Sequence, residues 1–189
     1  CDGDYLKIVT EEAKKMGVGL HIHLDESPVE HKEALEKYGM TPTEYLDSLG
    51  VFDVKTICAH CVQLTDTDID ILARKGVSVG ANPVSNLKLA NGVAPIKKML
   101  EKGVNVALGT DGPGSNNGQN MFREMNFHSL LHKGLNHDAV AVSATETYKC
   151  ATINGAKALS LDKCGELKVG NKADLFVMDS NQPQFYPRN

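Results

Sequence analysis

Three short clusters carry residues able to do chemistry: His21-Ile22-His23-Leu24-Asp25-Glu26, Cys58-Ala59-His60-Cys61 and Gly109-Thr110-Asp111-Gly112. Each closes an apolar run that reads as a β-strand. On an extended strand His21 and His23 project to one face while Ile22 and Leu24 project to the other. Neutral imidazole suits zinc or iron, so the pair is a candidate metal site. Glu26 lies just past the strand end, His60 at the end of the next apolar run. Asp111 is delivered by Val104–Thr110 into a glycine-rich loop, where a carboxylate needs a metal, a cation or donors to stay charged. Singly, each has a plainer reading: a satisfied strand histidine, a capping glutamate, an Asp-Gly turn. Together, two histidines and an aspartate at three strand ends of one face suggest a mononuclear metal site.

The remaining candidates are weaker. Cys58 and Cys61 have C-x-x-C spacing, but a zinc knuckle needs a second pair and a redox motif sits where a helix begins. They read as small packing residues. His31, His128, His132 and His137 have no acidic partner at ligand spacing and read as solvated or structural.

The elements that must position these residues are legible from punctuation. Lys14-Lys15-Met16-Gly17-Val18, Ala73-Arg74-Lys75-Gly76-Val77 and Leu100-Glu101-Lys102-Gly103-Val104 are versions of one phrase. Basic residues favour the negative end of a helix, glycine accepts the left-handed turn after it, and valine opens a strand. Ser27-Pro28-Val29-Glu30 and Thr41-Pro42-Thr43-Glu44 read as full capping boxes, with Gly39 and Gly50 closing the helices. Thr65 to Asp68 opens another helix with acidic residues in its first turn. Strands are expected over 18–24, 54–61, 77–82 and 104–110. Beyond a loop at 112–118, helices are expected over about 120–133, 138–150 and 152–159. The tail, 165–170 and 173–179, reads as two short strands around a turn.

Short apolar strands alternating with helices predict an α/β fold with a parallel sheet. From His23 to Asp111 is 88 residues. That distance holds strand-to-strand steps of roughly 29 residues, whereas an eight-stranded barrel takes about 250. The expected architecture is therefore half a barrel, and the chain reads as a fragment. Its 189 residues are 41% hydrophobic, enough for one sizeable core, and the net charge of −4 offers no basic stripe for nucleic acid. No apolar stretch is long enough to span a bilayer, and the opening Cys1-Asp2-Gly3-Asp4 leads into no signal segment. Five cysteines, irregularly placed, fit a reducing cytoplasm better than a disulfide scaffold.

Further phrases carry a resemblance: Ala59-His60-Cys61-Val62-Gln63-Leu64, residues 82–89 (Asn-Pro-Val-Ser-Asn-Leu-Lys-Leu), residues 109–117 and residues 165–175, beside the His21–Ser27 phrase and Glu30. The chain resembles the amidohydrolase superfamily, and within it the methylthioadenosine/S-adenosylhomocysteine deaminase branch. The resemblance implies the C-terminal half of a (β/α)8 TIM barrel, strands five to eight, over 1–162. It implies the start of a small β-sandwich segment over 163–189. It implies hydrolytic deamination of a purine-like nucleoside with one divalent metal, zinc ahead of iron(II). His23 then matches a metal ligand, and Glu26 the group that protonates the ring nitrogen. His60 matches the histidine that orients hydroxide and substrate; Asp111 touches the metal and takes the proton of its water. Ser115 and the Asn82–Lys88 loop match pocket-lining segments, while His21 matches no ligand. The family's first-strand HxH pair has no counterpart here, so the expected ligand set is incomplete and the fragment is expected to be inactive alone. Triazine chlorohydrolases and guanine or cytosine deaminases share several of these motifs and are the alternative activities. A different alternative is a non-catalytic half-barrel that associates through its open sheet edges, as a homo-oligomer. No nucleic-acid or membrane partner is expected.

Overall fold

A computed structural model describes residues 2–183. A four-stranded, fully parallel sheet is built from β1 (Leu20–Leu24), β2 (Thr56–His60), β3 (Ser78–Ala81) and β4 (Asn105–Leu108), side by side in chain order. Before β1 lies α1 (Gly3–Met16); between β1 and β2 lie α2 (Pro28–Tyr38), α3 (Pro42–Ser48) and a 3-10 turn at Val51–Asp53. α4 (Asp66–Lys75) links β2 to β3, and α5 (Pro83–Lys88) and α6 (Ile96–Glu101) link β3 to β4. After β4 come α7 (Pro113–Asn116), α8 (Met121–Asn136), α9 (Ala144–Ala151) and α10 (Ile153–Ala158).

The repeated phrase does what its residues dictate. Gly17, Gly76 and Gly103 take left-handed φ of 65°, 66° and 79°. Each donates its N–H to a carbonyl three residues back, and the following valine donates to the carbonyl five back: Val18 to Ala13, Val77 to Leu72, Val104 to Met99. These paired bonds are the Schellman ending of a helix, and they point the chain into the next strand.

One face of the sheet is core. Leu24, Cys58, Val79 and Val106 are buried there against Ile69, Leu72, Ile96 and Met99 from the helices. The opposite face carries His21, His23, Ala59, Gly80 and Ala107, in register across the strands, and lines a cleft of about 490 Å³. Three small residues in one row leave that room. No described helix is long and apolar enough to cross a membrane.

Several expectations need correction. The strands are shorter than the apolar runs; β1 starts at Leu20 because its N–H takes up the Lys55 carbonyl, and a side chain at Gly19 would clash with that same oxygen. The 82–88 segment is mostly helix, not loop, and the 112–118 loop contains α7. α9 begins at Ala144 rather than near Asp138, because Ser143 and Glu146 close a capping box that the sequence reading passed over. The tail forms no strand among the described residues; it is irregular chain with a few turns, and Leu167, Val169, Phe176 and Val177 are exposed. A strand needs a ladder partner for its backbone groups, and no described strand offers these residues one. The last part of the expected β-sandwich segment, 184–189, lies outside the described residues.

Candidate active site

The site forms where the strands end, and the backbone there is strained. Asp25, His60, Cys61 and Asp111 have φ of 49°, 73°, 52° and 58°. Non-glycine residues rarely adopt the left-handed region, which costs of order 1–3 kcal/mol each and persists only where surroundings hold it. Here a strained turn at the end of β1, β2 and β4 places a candidate side chain, Glu26, His60 or Asp111, beyond the sheet.

Glu30 holds the first turn. The Ser27 hydroxyl accepts from the Glu30 N–H at 3.2 Å, as in a capping box, but the Glu30 carboxylate does not return to Ser27. It reaches further back and accepts from the N–H groups of Asp25 (3.1 Å) and Glu26 (2.8 Å). Asp25, fully buried, lies 2.9 Å from the His31 Nδ1; burial pushes its carboxyl up to about 6 against the pull of His31. His31 is thus a partner of a buried carboxylate, not a solvated residue. The Glu26 side chain is then free to point at the site, where its Oε1 accepts from the Asn91 amide at 2.9 Å and lies 3.7 Å from the His60 Nδ1.

His60 is 1% exposed. Its Nδ1 lies 2.8 Å from the Asn86 Oδ1, and its ring stacks on His23 at 5.4 Å between centroids. Asp111 occupies the far end. The Ser85 and Ser115 hydroxyls donate to its Oδ2 at 2.6 and 2.7 Å, and the Gly112 N–H to its Oδ1 at 2.7 Å. Burial pushes the Asp111 carboxyl up, but those donors and the nearby His60 outweigh it and hold the group below the usual carboxylate range. It stays ionised.

The structure therefore gathers His23, His60, Asn82 and Asp111 on one cleft; Glu26 is not among its lining residues but lies against His60, 3.7 Å from its Nδ1. Asn82 also bears on Gly109: a Cβ there would lie 2.5 Å from the Asn82 Oδ1, so a larger residue would require the Asn82 side chain to shift. Ser115 is placed differently from the expectation of a pocket-lining residue; its hydroxyl is engaged by Asp111 and the Gly112 carbonyl. Cys58 and Cys61 are fully buried, and burial raises the Cys61 thiol well above its ordinary range, which fits packing rather than ligation. Ser85 and Asn86 were visible in the sequence only as part of the Asn82–Lys88 segment matched to pocket lining, without individual roles. Glu30 was visible as a helix cap and as part of the family resemblance, with no hint of the N–H groups it holds. For Asn91 the sequence carried no signal.

Imidazole and carboxylate are suitable donors for a divalent cation. Among the described residues, however, no group of three or more His, Cys, Asp or Glu side chains is arranged to hold one. A catalytic zinc takes three protein ligands and a water. His23 and Asp111 alone fall short of that set.

Comparison with known proteins decides the family. The model of the amidohydrolase family matches residues 1–188. The chain belongs to the amidohydrolase family. It is 52% identical over 190 residues to a 5-methylthioadenosine/S-adenosylhomocysteine deaminase of Caldanaerobacter subterraneus subsp. tengcongensis, covering 100% of this chain and 44% of that protein. It is 49% identical over 189 residues to a 5'-deoxyadenosine deaminase of Methanocaldococcus jannaschii, covering 100% and 45%. Among solved structures, an adenosine deaminase from Xanthomonas campestris with bound zinc superposes with a TM-score of 0.95 at 36% identity, over 99% of this chain and 43% of that one. Atrazine chlorohydrolase from Arthrobacter aurescens, complexed with zinc, gives 0.84 at 28%, over 91% and 38%. This amidohydrolase chain spans less than half the length of the relatives it matches.

Proposed function

We propose that the protein to which this chain belongs hydrolytically deaminates a purine-like nucleoside such as 5'-methylthioadenosine or S-adenosylhomocysteine. The chain contributes the second half of a catalytic barrel over 1–162 and a return segment over 163–189. The observation that carries the reading is that His60, with Glu26 3.7 Å from its Nδ1, lines one cleft with an ionised Asp111. The deaminase relatives support the substrate class.

In this reading water adds to the amino-bearing ring carbon, the C–N bond breaks, and ammonia leaves. Glu26 gives a proton to the adjacent ring nitrogen, which makes the carbon electrophilic. His60, its Nδ1 committed to Asn86, presents Nε2 to hold water and substrate in line. Asp111 accepts the proton lost by water and returns it to the departing amine, and the hydroxyl left on the ring carbon gives up its own proton as the carbonyl forms, restoring Glu26. Such acid/base steps contribute about 10²- to 10⁴-fold each. A divalent metal, zinc ahead of iron(II), supplies Lewis acidity when bound; His23 and Asp111 are this chain's residues that would hold it, with further ligands drawn from outside the chain.

Glu26→Gln in the whole protein is expected to abolish ammonia release from 5'-methylthioadenosine while metal content, by elemental mass spectrometry, stays unchanged. Turnover near wild type would overturn the assignment. Chloride release from a triazine without ammonia release from nucleosides would favour the chlorohydrolase alternative, which the likeness to atrazine chlorohydrolase keeps in view.

A further inference from the structure

Every acid/base group of the site is held by one short stretch of chain. Ser85, on α5, donates its hydroxyl to the Asp111 Oδ2 at 2.6 Å; Asn86, the next residue, has its Oδ1 2.8 Å from the His60 Nδ1; Asn91, in the turn after α5, donates to the Glu26 Oε1 at 2.9 Å. Ser85 and Asn86 are 0% and 2% exposed. The stretch is itself anchored: the Asn91 N–H donates to the Asn86 carbonyl, and the Gln63 side-chain amide donates to the Asn91 carbonyl at 2.6 Å.

From this geometry we infer that Ser85, Asn86 and Asn91 are positioning residues, one for each of Asp111, His60 and Glu26, and that Asn86 fixes His60 as the Nδ1–H tautomer. Two oxygens face Nδ1, the Asn86 Oδ1 at 2.8 Å and the Glu26 Oε1 at 3.7 Å. A proton on Nδ1 is donated to the Asn86 Oδ1 and faces the more distant Glu26 oxygen favourably, whereas a lone pair there would repel both. The Asn86 Oδ1 is the one oxygen within hydrogen-bond distance of Nδ1, so the tautomer follows from Asn86 presenting its oxygen, the orientation that the neighbouring Glu26 oxygen also favours. Nε2, which makes no hydrogen bond to the described residues, is left as an acceptor. Asn91 does the equivalent for Glu26: with Oε1 engaged as acceptor, the transferable proton belongs on Oε2. The catalytic meaning rests on the deaminase reading; the tautomer does not.

The test separates the two. Nitrogen-15 imidazole spectra of the 189-residue chain report the His60 tautomer without any turnover. Nδ1 protonated and Nε2 bare is the expected state, retained in Asn86→Asp, whose carboxylate also accepts, and lost to a mixture in Asn86→Leu. Nε2–H in the wild-type spectrum overturns the inference, whether or not any variant folds; so does an unchanged tautomer in a folded Asn86→Leu. In the whole protein Asn86→Leu is expected to lower kcat by about 10- to 100-fold, the scale at which hydrogen-bonded supports of a functional histidine act. KM should move little, and Asn86→Asp should recover most of the loss. A correct tautomer in a protein that deaminates no nucleoside would leave the inference standing and remove the deaminase reading.

Discussion

Two buried histidines in this chain have opposite surroundings. His60, at the end of β2, is 1% exposed, with Asn86 and Glu26 on its Nδ1 and the cleft before it. His128, in the middle of α8, is 0% exposed, and neither ring nitrogen has a partner among the described residues. Its neighbour His132, one turn on, is 2% exposed and meets it edge to face at 5.4 Å. Burial is the same; the partners differ. A buried imidazole with an acceptor on one nitrogen has a fixed tautomer and a directed lone pair, which is what chemistry needs. One without partners is held neutral by its surroundings and is a liability in acid.

The largest expected effect lies on the first member of that comparison. In the whole protein His60→Ala should lower kcat by about 10²- to 10⁴-fold, the usual contribution of a positioned acid/base group. His128→Leu should leave kcat near wild type, because His128 reaches neither the cleft nor its charged groups. Steady-state kinetics of the pair decides it. Equal losses in the two variants would mean that partnership was the wrong distinction to draw, since burial is common to both.

A smaller effect follows for the second member. Burial, helped by the neighbouring His132, drives His128 down to about 3, and burial drives His132 down to about 4. Both values lie below the unfolded value near 6.5, so the unfolded chain binds more protons whenever the pH falls below 6.5. Stability from these groups is then fully present above that pH and lost as the pH drops toward 4 and 3. Linkage puts the loss at about 2 kcal/mol per histidine between pH 7 and pH 5, an order of magnitude only. Asp25 acts in the other direction, since its carboxyl, raised to about 6 by burial, stabilises the fold as pH falls through that value. The histidine effect is therefore read as a difference: urea unfolding of wild type and His128→Leu at both pH values. The variant should lose less stability on acidification. An identical loss would show that His128 is not the group being titrated.

The sequence shows some of this and hides the rest for physical reasons. Strand order and the parallel sheet were legible, because helix-ending glycines and strand-opening valines act within five residues of each other, as Gly76 and Val77 do. His23, His60 and Asp111 were legible for a related reason: a strand end fixes where its last side chain goes. Asn86 and Asn91 were not, since what they hold lies 26 and 65 residues away. Glu30 was misread as an ordinary cap because spacing cannot say which N–H a carboxylate will reach. The tail misled in the opposite sense. Alternating apolar residues at 165–179 satisfy the pattern of a strand, but pattern supplies no hydrogen-bonding neighbour.

The smallest expected effect tests partnership away from any chemistry. Thr41 and Thr147 are both buried, at 7% and 2% exposure. The Thr41 hydroxyl donates to the buried Asp68 at 2.5 Å and accepts from the Glu44 N–H, closing a capping box; the Thr147 hydroxyl has no partner among the described residues. Replacing either by valine keeps the shape and removes the hydroxyl. Thr41→Val orphans Asp68 in part and uncaps α3, so it should cost about 1–3 kcal/mol. Thr147→Val removes a buried group that already lacks a bond, and should be neutral or stabilising by less than about 1 kcal/mol. Thermal unfolding of the two variants measures both. If Thr147→Val cost as much as Thr41→Val, the Thr147 hydroxyl would have a partner after all, and the contrast between His60 and His128 would need the same re-examination.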